Sequence, residues 1–125
     1  MYLKGKNTRV LIDQNDFEYT GDSAIALVGE TNFIDGTAMD VPRDTTITGN
    51  LARELGVYGK QVSFVHQSYA SRSVISHNIM FNQPRACVNF NDNAFGGSRV
   101  SQNLMFNCVR ETGNRTLITP LIILI

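Results

Sequence analysis

Short runs of aliphatic and β-branched residues recur along the chain between turns rich in Gly, Asn, Asp and Ser, while helical periodicity is weak throughout. The runs share a template. An apolar residue stands three positions before an asparagine: Ile12 before Asn15, Ile47 before Asn50, Ile75 before Asn78 and Val100 before Asn103. Two positions after that asparagine come Phe17, Ala52, Met80 and Met105. The four asparagines are spaced 35, 28 and 25 residues apart, the length of one solenoid coil. The longer intervals predict looped insertions, the first within Gly29 to Asp44 and the second around Val65 to Ser71.

A second apolar strand follows each marker, seen in SAIALV from Ser23, QVSFV from Gln61 and ACVNF from Ala86. Each coil therefore needs at least two strands. Stacking equivalent coils pairs every strand with its counterpart about 4.8 Å away, which makes the sheets parallel. The pattern predicts an all-β solenoid of about four coils. Ile79, Phe81, Leu104 and Phe106 are apolar too, so alternation alone leaves the inward register open.

An asparagine at one place in every coil tolerates a left-handed backbone at a sharp corner, and its amide can bond the equivalent amides above and below. Asn15, Asn50, Asn78 and Asn103 are therefore expected to form a structural ladder, although asparagines punctuating unrelated turns would look similar.

Three stretches are more specific than a generic repeat: NLARELGVYGKQ (Asn50 to Gln61), NIMFNQPRACVNFNDNAFGG (Asn78 to Gly97) and NLMFNCVRETG (Asn103 to Gly113). They resemble a broad family of right-handed parallel β-helix proteins that belongs with the pectin-lyase-like solenoids. The resemblance covers the last two thirds of the chain up to Gly113. It implies a right-handed, single-stranded parallel β-helix over residues 1–116. Family members usually continue past the equivalent of Gly113 with an Asp-His-Gly and an Asn-Ser-Trp-Asp-Arg run. Here the chain reads NRTLITPLIILI and has no Trp. That departure suggests a truncated member whose apolar tail, residues 117–125, folds over the last coil as a cap.

Eleven basic residues balance eleven acidic ones, so no overall field draws the chain toward nucleic acid. The N-terminal MYLKGKNTRV lacks the apolar stretch a signal peptide needs. The run Leu117 to Ile125 contains Pro120 and is far shorter than the roughly 20 residues that span a bilayer. Cys87 and Cys108 lack zinc-site spacing and read as two unpaired core thiols. His66 and His77 have no ligand partner at metal spacing, and His77 reads as an exposed turn residue. Asn114-Arg115-Thr116 is a glycosylation sequon if the chain is secreted.

Solenoids related to pectin lyases bind or cleave acidic polysaccharides with carboxylates and Arg or Lys along one sheet. By that resemblance the nearest constellation is Arg85 and Asp92 in one coil with Arg110 and Glu111 in the next. A carboxylate pair can serve as acid and base, and a guanidinium forks a uronate. Arg85 and Arg110 both stand seven residues after a ladder asparagine, which predicts that they stack at one corner. A salt-bridged structural corner is the competing reading. In the loop Phe90 to Gly97, Asp92 also serves as a turn cap. No nucleophile elbow, phosphate loop or dinucleotide fingerprint occurs. The segment Asp13 to Asp16 lacks the glycine and glutamate of an EF-hand, so no cofactor is expected and Ca²⁺ has no supporting ligand pattern.

Two functions fit. One is a non-catalytic segment of a larger extracellular or surface protein that contacts carbohydrate or protein. The other is a fragment of a carbohydrate-active enzyme, a lyase, hydrolase or epimerase. Self-association through open strand edges is a further expected interaction.

Overall fold

The computed structural model describes residues 1–30, 40–92, 96–111 and 123–124. It is a right-handed parallel β-helix of four coils, each with three short strands. The first coil holds β1 (Tyr2–Lys4), β2 (Leu11–Asp13) and β3 (Asp16–Glu18). The second holds β4 (Ile25–Val28), β5 (Thr46–Thr48) and β6 (Leu51–Arg53). The third holds β7 (Val65–Ser68), β8 (Val74–Ser76) and β9 (Ile79–Phe81), and the fourth β10 (Val88–Asn91), β11 (Arg99–Ser101) and β12 (Leu104–Phe106). Equivalent strands stack into sheet one (β1-β4-β7-β10), sheet two (β2-β5-β8-β11) and sheet three (β3-β6-β9-β12).

The repeated apolar positions fall in register. Ile12, Ile47, Ile75 and Val100 are Cα partners along sheet two, and Phe17, Ala52, Met80 and Met105 along sheet three. Ile47, Ile75, Ala52 and Met80, in the two middle coils, are completely buried. Their outward neighbours settle the register left open by alternation: Ile79 is exposed, and Phe81 and Phe106 stack on the outside with ring centroids 4.7 Å apart. Sheet one adds Leu27, Ile25 and Val65 to the core, and Phe64 just ahead of β7 meets Phe17 at 5.7 Å.

Strands of three or four residues can close a coil only if the backbone turns sharply, and left-handed residues supply the turns. Gln14, Gly49, His77 and Gln102, each immediately before a marker asparagine, have φ between 54° and 65°. The left-handed conformation expected at the asparagines belongs instead to these preceding residues. Exposed His77 is among them. A second column follows sheet three, at Tyr19, Glu54, Asn82 and Asn107. A third precedes sheet two, at Arg9, Asp44, Arg72 and Gly97.

Two further expectations change. The extra residues of the third coil lie between β6 and β7, because Val65–Ser68 is itself a strand of sheet one, not an insertion. Of the first insertion, residues 31–39 lie outside the described residues. Cys87 and Cys108 are not free thiols: they form a disulfide with Cα atoms 5.8 Å apart. Cys87 immediately precedes β10, and the bond ties that point to the loop leaving β12. Of the tail, Ile123–Leu124 forms β13, antiparallel to β12.

Candidate functional site

The asparagine column is the most densely bonded polar feature of the interior. Asn15 Nδ2 donates to Asn50 Oδ1 at 3.0 Å, Asn50 Nδ2 to Asn78 Oδ1 at 2.9 Å, and Asn78 Nδ2 to Asn103 Oδ1 at 3.0 Å. The same three oxygens accept the backbone N–H of Asn15, Asn50 and Asn78. Asn50, Asn78 and Asn103 are buried, and each amide also donates to main-chain carbonyls near the corner. This column positions side chains and offers no reactive group.

The four charged candidates occupy two regions. Arg85, Arg110 and Glu111 lie in the segments that leave sheet three, whereas Asp92 follows β10 at its other end. Arg85 Nη1 donates to Gln61 Oε1 at 2.8 Å. Arg110 Nη1 reaches Glu54 Oε2 at 3.1 Å, two coils away. Glu111 pairs with Lys60 at 3.0 Å. Asp92 accepts from Asn91 Nδ2 at 2.9 Å and from Ser68 Oγ at 3.4 Å. The equal seven-residue offsets do not place Arg110 opposite Arg85. The Arg85 carbonyl takes the N–H of Val109, and Arg110 N–H donates to Gln83 instead. The two guanidinium groups then take different acceptors. Residues 93–95 of the Phe90 to Gly97 loop, and the Asn114 sequon, fall outside the described residues.

Glu54, at the start of this region, belongs to its own polar column. Asn82 Nδ2 donates to Glu54 Oε1 at 2.5 Å and Asn107 Nδ2 to Asn82 Oδ1 at 2.6 Å. A nearby outer-face cluster joins Arg53 to Glu18 at 2.9 Å and Asp16 at 3.2 Å. The Glu18 hydrogen bond is the main reason the Arg53 guanidinium is held even more firmly protonated than usual.

A more concentrated charge cluster sits at the corner before sheet two. Arg72 forks Asp44, Nε to Oδ1 at 2.7 Å and Nη2 to Oδ2 at 2.8 Å. The Arg72 hydrogen bond, with smaller contributions from the positive charges of Arg72, Arg43 and Arg9, holds the Asp44 carboxyl below its ordinary range. Arg43 pairs by backbone bridges with Thr8 on one side and Ser71 on the other, and Arg9 N–H donates to the Arg43 carbonyl at 3.1 Å. Sequence reasoning passed over this corner. Its signal was present: Arg9, Asp44, Arg72 and Gly97 each stand six residues before a marker asparagine.

Among the described residues no three His, Cys, Asp or Glu side chains cluster as metal ligands, and no helix is long and apolar enough to cross a membrane. His66 instead lies beside Asn89 on the outer face of sheet one, Nδ1 3.3 Å from the Asn89 amide nitrogen. No family model matches the chain, and neither curated proteins nor solved structures yield a significant match.

Proposed function

We propose that this chain is a non-catalytic β-helix module that binds carbohydrate or protein through its outer surface. The observation that carries the proposal is the internal partnering of the charged candidates. Glu111 is bonded to the loop before β10 and Asp92 follows β10, so the length of that strand, about 13 Å, separates them. Paired glycosidase carboxylates stand roughly 5–9.5 Å apart. Arg85, Arg110 and Glu111 serve in this reading to lock successive loops together, and Asp92 caps its turn.

The Cys87–Cys108 disulfide supports work in an oxidising compartment, at the cell surface or beyond it, because cytosolic thiols are kept reduced. The resemblance of the stretches between Asn50 and Gly113 to pectin-lyase-like solenoids supports carbohydrate as the first ligand class to test. The experiment is a panel of polygalacturonate, alginate and neutral glycans, each followed for binding and for bond cleavage. The expected result is saturable binding to at least one glycan with its chain length unchanged. Cleavage would overturn the non-catalytic reading in favour of a lyase or hydrolase. Failure to bind any member would remove carbohydrate.

A further inference from the structure

We infer that the Cys87–Cys108 disulfide is a redox-sensitive clamp that closes the fourth coil into a covalent ring, so that a thiol releases this coil while the first three stay folded. The inference goes beyond the module reading above and stands or falls without it.

The two half-cystines bracket one turn of the solenoid. Cys87 immediately precedes β10 and Cys108 follows the end of β12, so the 21-residue separation takes in all three strands of the fourth coil. With the Cα atoms 5.8 Å apart, the bond joins the start of that coil to its end. The chain has two cysteines, so the other three coils are held by hydrogen bonds and packing alone.

The fourth coil is also the one that opens most readily. Val65, Ile75 and Met80 of the third coil are completely buried, whereas their Cα partners Val88, Val100 and Met105 in the fourth are only half-buried. β10 and β11 are each paired on one side, and β12 gains only the two-residue β13 on its other side. Less apolar burial and fewer shared hydrogen bonds lower the cost of local opening here. The disulfide opposes that opening, because a segment tethered at both ends gains less entropy when it comes free.

The two sulfurs are not equivalent. Cys87 is 4% exposed, and its carbonyl accepts the N–H groups of Phe64 and Val65, which anchors it to the third coil. Cys108 is half-buried in the segment that leaves sheet three. Access therefore directs an attacking thiolate to the Cys108 sulfur: a mixed disulfide forms there, the Cys87–Cys108 bond breaks, and its electron pair leaves on the Cys87 sulfur, which takes up a proton. When the reductant is a dithiol, its second thiolate attacks its own sulfur in the mixed disulfide. The Cys108 thiolate is expelled and protonated, and the dithiol departs as a cyclic disulfide. Each new thiol has a carbonyl acceptor in place, Met80 O at 3.7 Å from Cys87 Sγ and Phe106 O at 3.8 Å from Cys108 Sγ.

Hydrogen–deuterium exchange of the intact chain, oxidised and after dithiothreitol, tests the clamp by mass spectrometry. In the oxidised chain, peptides covering β10 to β12 are expected to stay protected. Reduction should bring them to full uptake about 10-fold sooner or more, at a labelling time when β5, β6 and β8 are still protected. Exchange with oxidised glutathione should restore the protection. Cys87→Ser/Cys108→Ser, and Cys87→Ala/Cys108→Ala with its apolar replacement, should show the reduced pattern with or without dithiothreitol. If neither variant folds, or if reduction strips protection from all four coils together, the bond is a staple of the whole fold and selective release is overturned. Unchanged protection of the fourth coil after reduction would overturn the clamp. A brief pulse of reduced glutathione, quenched with acid, should leave its adduct on Cys108; an adduct on Cys87 would overturn the direction of attack.

Discussion

Replacing Asn78 by alanine removes a side chain that, like Asn50, makes five hydrogen bonds in the interior column. Its Oδ1 accepts the N–H of Asn50 at 3.0 Å and Asn50 Nδ2 at 2.9 Å, and its Nδ2 donates to Ile47 O, Ser76 O and Asn103 Oδ1, each at 3.0 Å. Asn50 Nδ2 keeps Ile12 O and Thr48 O as acceptors, so the main losses are a stranded Asn50 N–H and two carbonyls short of a donor. A buried group left unsatisfied costs about 1–3 kcal/mol. The site is 1% exposed, which restricts rescue by water, and the expected destabilisation is about 3–5 kcal/mol. For a chain of this length that lowers Tm by roughly 10–20 °C. Asn15→Ala, at the exposed start of the column, should cost no more than about 1 kcal/mol. Urea unfolding followed by circular dichroism measures both. Equal losses at Asn78 and Asn15, or a loss under about 1 kcal/mol at Asn78, would refute the idea that the amide series holds the coils in register.

Other consequences can be checked alongside. Cys87→Ser/Cys108→Ser should lose about 3 kcal/mol, the closure term for a separation of 21 residues, and reducing agent should produce the same loss in the parent but none in the variant. Gly56→Ala should destabilise by roughly 1–3 kcal/mol, because φ is 72° and an added Cβ would sit 2.5 Å from Val62 Cγ2 and the Gly59 carbonyl; denaturant midpoints report it. Arg72 depresses the folded-state pKa of Asp44, so its contribution is present above the ordinary value of 3.8 and is lost as pH falls through the lower folded value. Asp44→Asn should therefore flatten the acid limb of a stability profile taken below about pH 4, and an unchanged slope there would remove Asp44 from the account. Deleting residues 117–125 takes β13 from the edge of β12 and should increase light scattering through strand-edge pairing; a decrease would show that the tail does not cap.

The fold was legible because a solenoid repeats its inward positions. Ile12, Ile47, Ile75 and Val100 announce sheet two at a fixed distance from an asparagine, and Phe17, Ala52, Met80 and Met105 announce sheet three. Sheet one was harder to place, because the loops ahead of it differ in length. β7 begins only at the last residue of QVSFV, and β1 is three residues with a single inward side chain, Leu3. The disulfide escaped for a geometric reason. Cys87 stands nine residues after Asn78 and Cys108 five after Asn103, so alignment on the asparagines sets them apart, while the different paths of the two loops bring their Cα atoms to 5.8 Å. Looking seven residues past each asparagine selected Arg85 and Arg110, which take Gln61 and Glu54 of earlier coils as acceptors. The same rule applied six residues before each asparagine marks Arg9, Asp44 and Arg72, which come together because left-handed corners repeat as faithfully as strands do.

The most direct test of the central claim is amide NMR of the intact chain during titration with oligogalacturonate, with the sugar observed in the same tube. The account predicts saturable shifts of surface residues, with the glycan intact after prolonged incubation. Any cleavage of the glycan would contradict it.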